Sequence, residues 1–262
     1  MNPSPRSAVL VHGMWGCPAD WHWVRELLEA RRVEVVVPDL PSHRLAGAGL
    51  LDDAEAVREA IRTAGSHGPA VAVGWSYGCD AVSIAADGEA VARLVLVSSV
   101  PQAIHLQPRD GTLFDGSPDY LWDEAGRFVP RGGWWHEEGT GFSAEVRAHF
   151  DANPRRPVTR RTLSDPVPAA AWTRIPTTVL LGRRDAFNGE QPWVRARERV
   201  SDVRVLDCDH FVPFTLPGLV ADVILEGVGG GPRGTEKPLP DPHAAEGEGA
   251  DVRPPGLEPG TH

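Results

Sequence analysis

Ala70-Val71-Ala72-Val73-Gly74-Trp75-Ser76-Tyr77-Gly78, continued by Cys79-Asp80-Ala81-Val82-Ser83, is the stretch that decides the fold. Its first four residues read as a strand buried on both faces, and the small residues after Gly78 read as a helix. The G-x-S-x-G pattern between them reads as a sharp strand-to-helix turn. Glycines at 74 and 78 relieve crowding there, and Ser76 is pushed out above the sheet with a helix N-terminus beneath it. Such a pentapeptide carries weight only between a strand and a helix, and both are present.

Working outward, apolar runs recur at residues 8–11, 33–37, 94–97, 178–181 and 203–206. Continuous apolar strands imply a parallel sheet covered on both faces. Between them, Trp21, Val24, Leu27 and Leu28 share a helical face. Ala54, Val57, Ile61 and Ala64 share another, behind Asp52 and Asp53 as capping residues. A last helix opens at Thr215, buries Leu219, Val220, Val223 and Ile224, and is expected to stop at Gly227. The fold class is therefore α/β, with a mostly parallel central sheet and helices on both faces.

The alternation breaks between Pro101 and Arg174, a stretch too long for a plain loop and too aromatic for a linker, with Trp122, Trp134, Trp135 and Trp172. It reads as a mainly helical cap inserted over the carboxyl edge of the sheet, where open α/β sheets bind ligands. The expected organisation is a core of residues 5–100 and 175–228, a cap of 101–174 and a tail of 229–262. The tail holds seven Pro and eight Gly and no periodic apolar face, so burial cannot offset its ordering entropy.

The chain has 262 residues, enough to bury a sizeable core, and a net charge of -10 without a basic stripe, which argues against nucleic-acid binding. No apolar run is long enough to span a bilayer, and Met1 to Ser7 contains no apolar leader segment, so a cytoplasmic protein without membrane association is expected. Cys17, Cys79 and Cys208 have no disulfide or zinc spacing. No cofactor or metal is implied, and the oligomeric state stays open.

A serine hydroxyl needs a neutral imidazole to take its proton, and a carboxylate to fix that imidazole's tautomer. Asp185 follows the run 178–181 and His210 follows the run 203–206, both on the sheet edge that carries Ser76. The chain order Ser76, Asp185, His210 matches that of serine hydrolases built on such a sheet. Asp207 and Asp209 also lie near the base, but they flank it within its own loop and would have to reach back around it. Oxyanion donors are expected from the backbone amides of Met14, after the first strand, and Tyr77, after the serine. His12 reads as a structural residue of the oxyanion loop. Trp15, Trp75, Trp134, Trp135 and Phe211 are the candidate apolar pocket, and a carboxylate-binding site would draw on a cap arginine among Arg127, Arg131, Arg155, Arg156, Arg160 and Arg161.

With VLVHGMWG, VVVPDLPSHR, VGWSYG, RLVLVSSVP, VTRRTLSDPV, VLLGRRDAF and DCDHFVPF in this order, the chain resembles the α/β-hydrolase superfamily over about residues 7–227. Within it, the likeness is to small cofactor-independent esterases akin to plant methylesterases, hydroxynitrile lyases and bacterial relatives. The resemblance implies Ser76 as nucleophile, His210 as base, Asp185 as acid, and hydrolysis of a small or medium-sized ester. It departs from the family's pattern at Met14, where many members carry a small residue, and at Ser42-His43-Arg44. Gly13 stands where cyanohydrin lyases carry a threonine, and the cap has no lysine, which disfavours cyanohydrin cleavage. A non-hydrolytic reaction on a natural-product intermediate, or a ligand-binding homologue without catalysis, are the alternatives this fold allows.

Overall fold

A computed structural model describes residues 7–101, 111–137, 140–187, 196 and 199–229. Six strands, β1 (Ser7–Val11), β2 (Glu34–Val36), β3 (Ala70–Trp75), β4 (Val91–Val97), β8 (Thr177–Gly182) and β9 (Asp202–Leu206), form one sheet in the order β2-β1-β3-β4-β8-β9. Every pairing in it is parallel. Because side chains alternate along each strand, the sheet feeds two cores. Val9, Val11, Ala72, Leu94 and Leu96 pack under helices α2 (Leu50–Ala64) and α3 (Gly78–Ala85). Ala8, Leu10, Val71, Val73, Val95 and Val97 pack under α1 (His22–Glu29) and α6 (Pro217–Gly229).

The chain runs from β1 outward to β2 and then returns to the other side of β1 as β3, so the strand order reverses between β1 and β3. A crevice opens at the carboxyl ends of such a pair. The turn carrying Ser76 and the loop carrying Met14 leave these two strands and lie at that crevice.

Between β4 and β8 the insertion is not purely helical. Helices α4 (Ala144–Ala152) and α5 (Arg161–Ser164) accompany a three-stranded antiparallel sheet of β5 (Tyr120–Trp122), β6 (Arg127–Pro130) and β7 (Val158–Thr159). These strands are two to four residues long, too short for a visible alternation, which is why the sequence gives no sign of them. They enclose an aromatic cluster of Phe114, Tyr120 and Phe128 with Trp15 and Trp122 against it.

Two expectations at helix ends change. Gly49 caps α2, and Asp52 accepts its N–H at 2.8 Å, but Asp53 is fully buried and does not cap α2. Helix α6 continues through Gly227 to Gly229, because residues after Val223 still pack on the sheet: a Cβ on Gly227 would touch Val71 and Arg93. The Pro/Gly-rich tail beyond Gly229 lies outside the described residues. Among the described residues no helix is long and apolar enough to cross a membrane, and no cluster of His, Cys, Asp and Glu suits a metal ion.

Candidate active site

Strand β3 ends in a turn where Ser76 adopts φ +53°, a left-handed conformation that a non-glycine residue holds only at a cost of about 1 kcal/mol or more. The flanking glycines make it possible. A Cβ on Gly74 would lie 2.6 Å from the Gly78 carbonyl oxygen, and one on Gly78 would overlap the Val11 and His12 carbonyls, so α3 can start flush against β1. The Ser76 N–H donates to the Val97 carbonyl at 2.8 Å and its own carbonyl accepts from Cys79 N at 2.9 Å, which fixes the turn to β4 and α3.

Ser76 Oγ lies 2.8 Å from His210 Nε2, and His210 Nδ1 lies 2.8 Å from Asp185 Oδ2. Asp185 and His210 sit in the loops after β8 and β9, and both side chains are about nineteen-twentieths buried. Asp185 Oδ1 accepts the Phe187 N–H at 3.0 Å, and the Phe187 ring stacks on the His210 imidazole at 4.5 Å. Asp207 instead pairs with Arg184. Asp209 accepts the Phe211 N–H, and burial raises its carboxyl above the usual range. Of the three carboxylates near His210, Asp185 is therefore the one on its ring.

A cavity of about 170 Å³ opens over this group, room for a benzene-sized moiety. Gly13, Met14 and Tyr77 form its floor with Ser76 and His210, and aromatic rings form most of its walls. Of the aromatic residues singled out in the sequence, Trp15, Trp75, Trp134 and Phe211 line it. Trp135 does not: its indole turns away to donate to Asp151 at 2.8 Å, and its ring packs on Phe150 behind Trp134. Phe187, Phe114, Leu113 and Leu163 also line the cavity and escaped sequence reasoning. Only Phe187, two residues after Asp185, carried a positional signal.

His12 is fully buried and bridges the loop after β1 to Leu40, with Nδ1 at 3.0 Å from the Gly13 carbonyl and Nε2 accepting from Leu40 N; burial lowers its pKa. Behind Tyr77 lies a second buried network. Asp53 accepts hydrogen bonds from Ser42 N at 2.8 Å, Ser42 Oγ at 2.5 Å and the Tyr77 hydroxyl at 2.6 Å. Burial nonetheless pushes the Asp53 carboxyl up to about 6, and it keeps the Tyr77 hydroxyl protonated.

Arg155 is the one cationic side chain among the described residues of the cavity wall, and it is already engaged. Its two Nη atoms donate to the two oxygens of buried Asp20 at 2.8 Å each. Burial pushes the Asp20 carboxyl up, but the Arg155 guanidinium, with His149 nearby, outweighs it and holds Asp20 well below the usual range. The next residue, Arg156, donates its N–H to the Trp15 carbonyl at 2.8 Å and its guanidinium to Asp39 at 2.7 Å. The cap is thereby tied to the loop that carries Met14.

Residues 8–223 match the family model of the alpha/beta hydrolase family, and the chain belongs to that family. No curated protein matches its sequence. Among solved structures it is similar to a methylesterase from Arabidopsis, with a TM-score of 0.67 at 16% identity, covering 85% of this chain and 98% of that one. It is similar to polyneuridine aldehyde esterase, with a TM-score of 0.69 at 16% identity over 84% and 98%. It is also similar to a pyrethroid hydrolase from Sphingobium faniae JZ-2, with a TM-score of 0.63 at 20% identity over 84% and 96%. At these identities the likeness is one of fold.

Proposed function

We propose that the chain is a serine hydrolase of uncharged carboxylic esters of small or medium size, working through an acyl-enzyme without a cofactor. The observation that carries this reading is the continuous line of hydrogen bonds from Ser76 Oγ through His210 to Asp185 at the floor of an apolar cavity. With Nδ1–H donated to the Asp185 carboxylate, His210 presents the lone pair of Nε2 to the serine hydroxyl, the tautomer a general base requires. Ser76 Oγ attacks the ester carbonyl while its proton passes to His210, and the amides of Met14 and Tyr77 donate to the oxyanion. Collapse of the tetrahedral adduct breaks the ester C–O bond, and His210 returns its proton to the leaving alkoxide. Water, deprotonated by His210, then attacks the acyl-enzyme and releases the acid, restoring Ser76. The esterases among the structures of like fold support the same reading.

The test uses a fluorophosphonate probe and p-nitrophenyl esters on the intact chain beside Ser76→Ala. Labelling at Ser76 and ester turnover are expected in the first and neither in the second. A Ser76→Ala chain that folds and retains full turnover overturns the assignment. Labelling of Ser76 without turnover of any ester would move the reading to a non-hydrolytic reaction at the same serine.

A further inference from the structure

The main-chain carbonyl of His210 accepts hydrogen bonds from two side chains that the acyl-transfer scheme does not use. Trp75 Nε1 donates to it at 2.9 Å and Ser98 Oγ donates to it at 2.8 Å. Both donors are buried, Ser98 completely. A carbonyl oxygen has two lone pairs, and here each meets a donor.

The sources of these donors matter. Trp75 directly precedes Ser76. Ser98 directly follows Val97, whose carbonyl accepts the Ser76 N–H, and the Ser98 N–H donates to the Leu180 carbonyl at 2.8 Å, in the strand that leads to Asp185. The peptide of the base is therefore held from the turn of the nucleophile and from the strand end between nucleophile and acid. Ser98 also sits at φ +59°, a conformation costly for serine, and it occupies it with its hydroxyl bonded to the His210 carbonyl.

We propose that Trp75 and Ser98 are positioning residues for the base: they clamp the His210 peptide so that its imidazole stands between Ser76 Oγ and Asp185. The inference rests on the reading of His210 as the base of Ser76. An imidazole on a loop has its backbone and two side-chain torsions to misplace it, and an error of about 1 Å in a reacting group costs on the order of a hundredfold in rate. A carboxylate on Nδ1 restrains the ring alone, whereas the clamp restrains the backbone from which the ring hangs.

Ser98→Gly tests the clamp directly, since glycine suits φ +59° and removes the Cβ together with its hydroxyl. Its melting temperature should match or exceed that of the unsubstituted chain. Its kcat on a p-nitrophenyl ester and its rate of fluorophosphonate labelling at Ser76 should both fall on the order of tenfold, with KM unchanged. Ser98→Ala, which keeps a Cβ, should show the same fall in kcat with a native circular dichroism spectrum. Trp75→Phe with Ser98→Gly should lose more than the product of the single losses, because each donor partly covers for the other on one acceptor. A folded Ser98→Gly chain with full kcat and full labelling rate, or one changed in KM alone, overturns the clamp and leaves the triad reading standing. Absence of labelling at Ser76 in the unsubstituted chain overturns the triad reading, and the clamp with it.

Discussion

Arg155, from the cap, and Asp20, from the loop after the first strand, form a two-pronged ion pair in which the carboxylate is fully buried and the guanidinium nearly so. Removing one partner from a buried pair leaves an uncompensated charge, which costs about 3 to 5 kcal/mol. Arg155→Met should therefore destabilise the fold by about that much, read by urea denaturation at pH 7. Asp20→Asn combined with Arg155→Met should recover a large part of the loss. A single variant within error of the unsubstituted chain would show that the pair holds nothing.

Asp53 makes a pH prediction. Its folded carboxyl is raised from 3.8 to about 6 by burial, so the folded state holds the proton more tightly than the unfolded state. Stability contributed by this group is fully present below about pH 4 and is lost as pH rises through about 6. The shift corresponds to roughly 3 kcal/mol at its upper bound. Asp53→Asn does not titrate, so the difference in unfolding free energy between the chain and this variant isolates the term. That difference should fall between pH 4 and 6 and level off above; a flat difference contradicts the assignment.

Gly78 makes a steric prediction. Its missing Cβ is what lets the start of α3 lie against the Val11 and His12 carbonyls, and a main-chain oxygen cannot swing aside as a side chain can. Gly78→Ala should lower the melting temperature by several degrees or prevent folding, although alanine is the better helix former. A normal melting temperature would mean that α3 shifts freely along β1, and with it the Tyr77 amide.

What was legible in the sequence follows from where the physics is local. All six strands of the main sheet could be placed: the inner strands β1, β3, β4 and β8 are largely buried and leave nearly unbroken apolar runs, the half-buried edge strands β2 and β9 still gather several apolar residues, and Ser76, Asp185 and His210 could be chosen because each stands within a few residues of the end of such a run. The interior of the inserted segment between β4 and β8 was not legible. Its strands are too short to show a period, and Leu113, Phe114 and Leu163 reach the cavity through packing between segments remote in sequence. From sequence alone Asp53 reads as a helix cap, because an acid in a first turn usually is one. Only its distances to Ser42 and Tyr77 show that it serves a buried network. Trp134 and Trp135 are adjacent and chemically identical, so only the backbone turn between them decides which ring faces the cavity.

The cavity wall also predicts selectivity by charge. Its described lining is aromatic and aliphatic apart from Ser76, Ser99, the His210 ring and Arg155, and the Arg155 charge is already met by Asp20. A substrate carboxylate entering this space would lose its hydration and find no free cation, a cost of several kcal/mol. Each 1.4 kcal/mol is a factor of about ten in rate. Of two p-nitrophenyl esters of equal acyl length, one ending in a methyl group and one in a carboxylate, the neutral ester should show a kcat/KM at least about tenfold higher. Asp20→Asn leaves the Arg155 guanidinium without its counter-charge, at the stability cost argued above for breaking the pair, and in the folded variant it should narrow that ratio, chiefly through a lower KM for the acidic ester. Equal kcat/KM for the two esters in the unsubstituted chain would mean that Arg155 leaves Asp20 to meet the substrate.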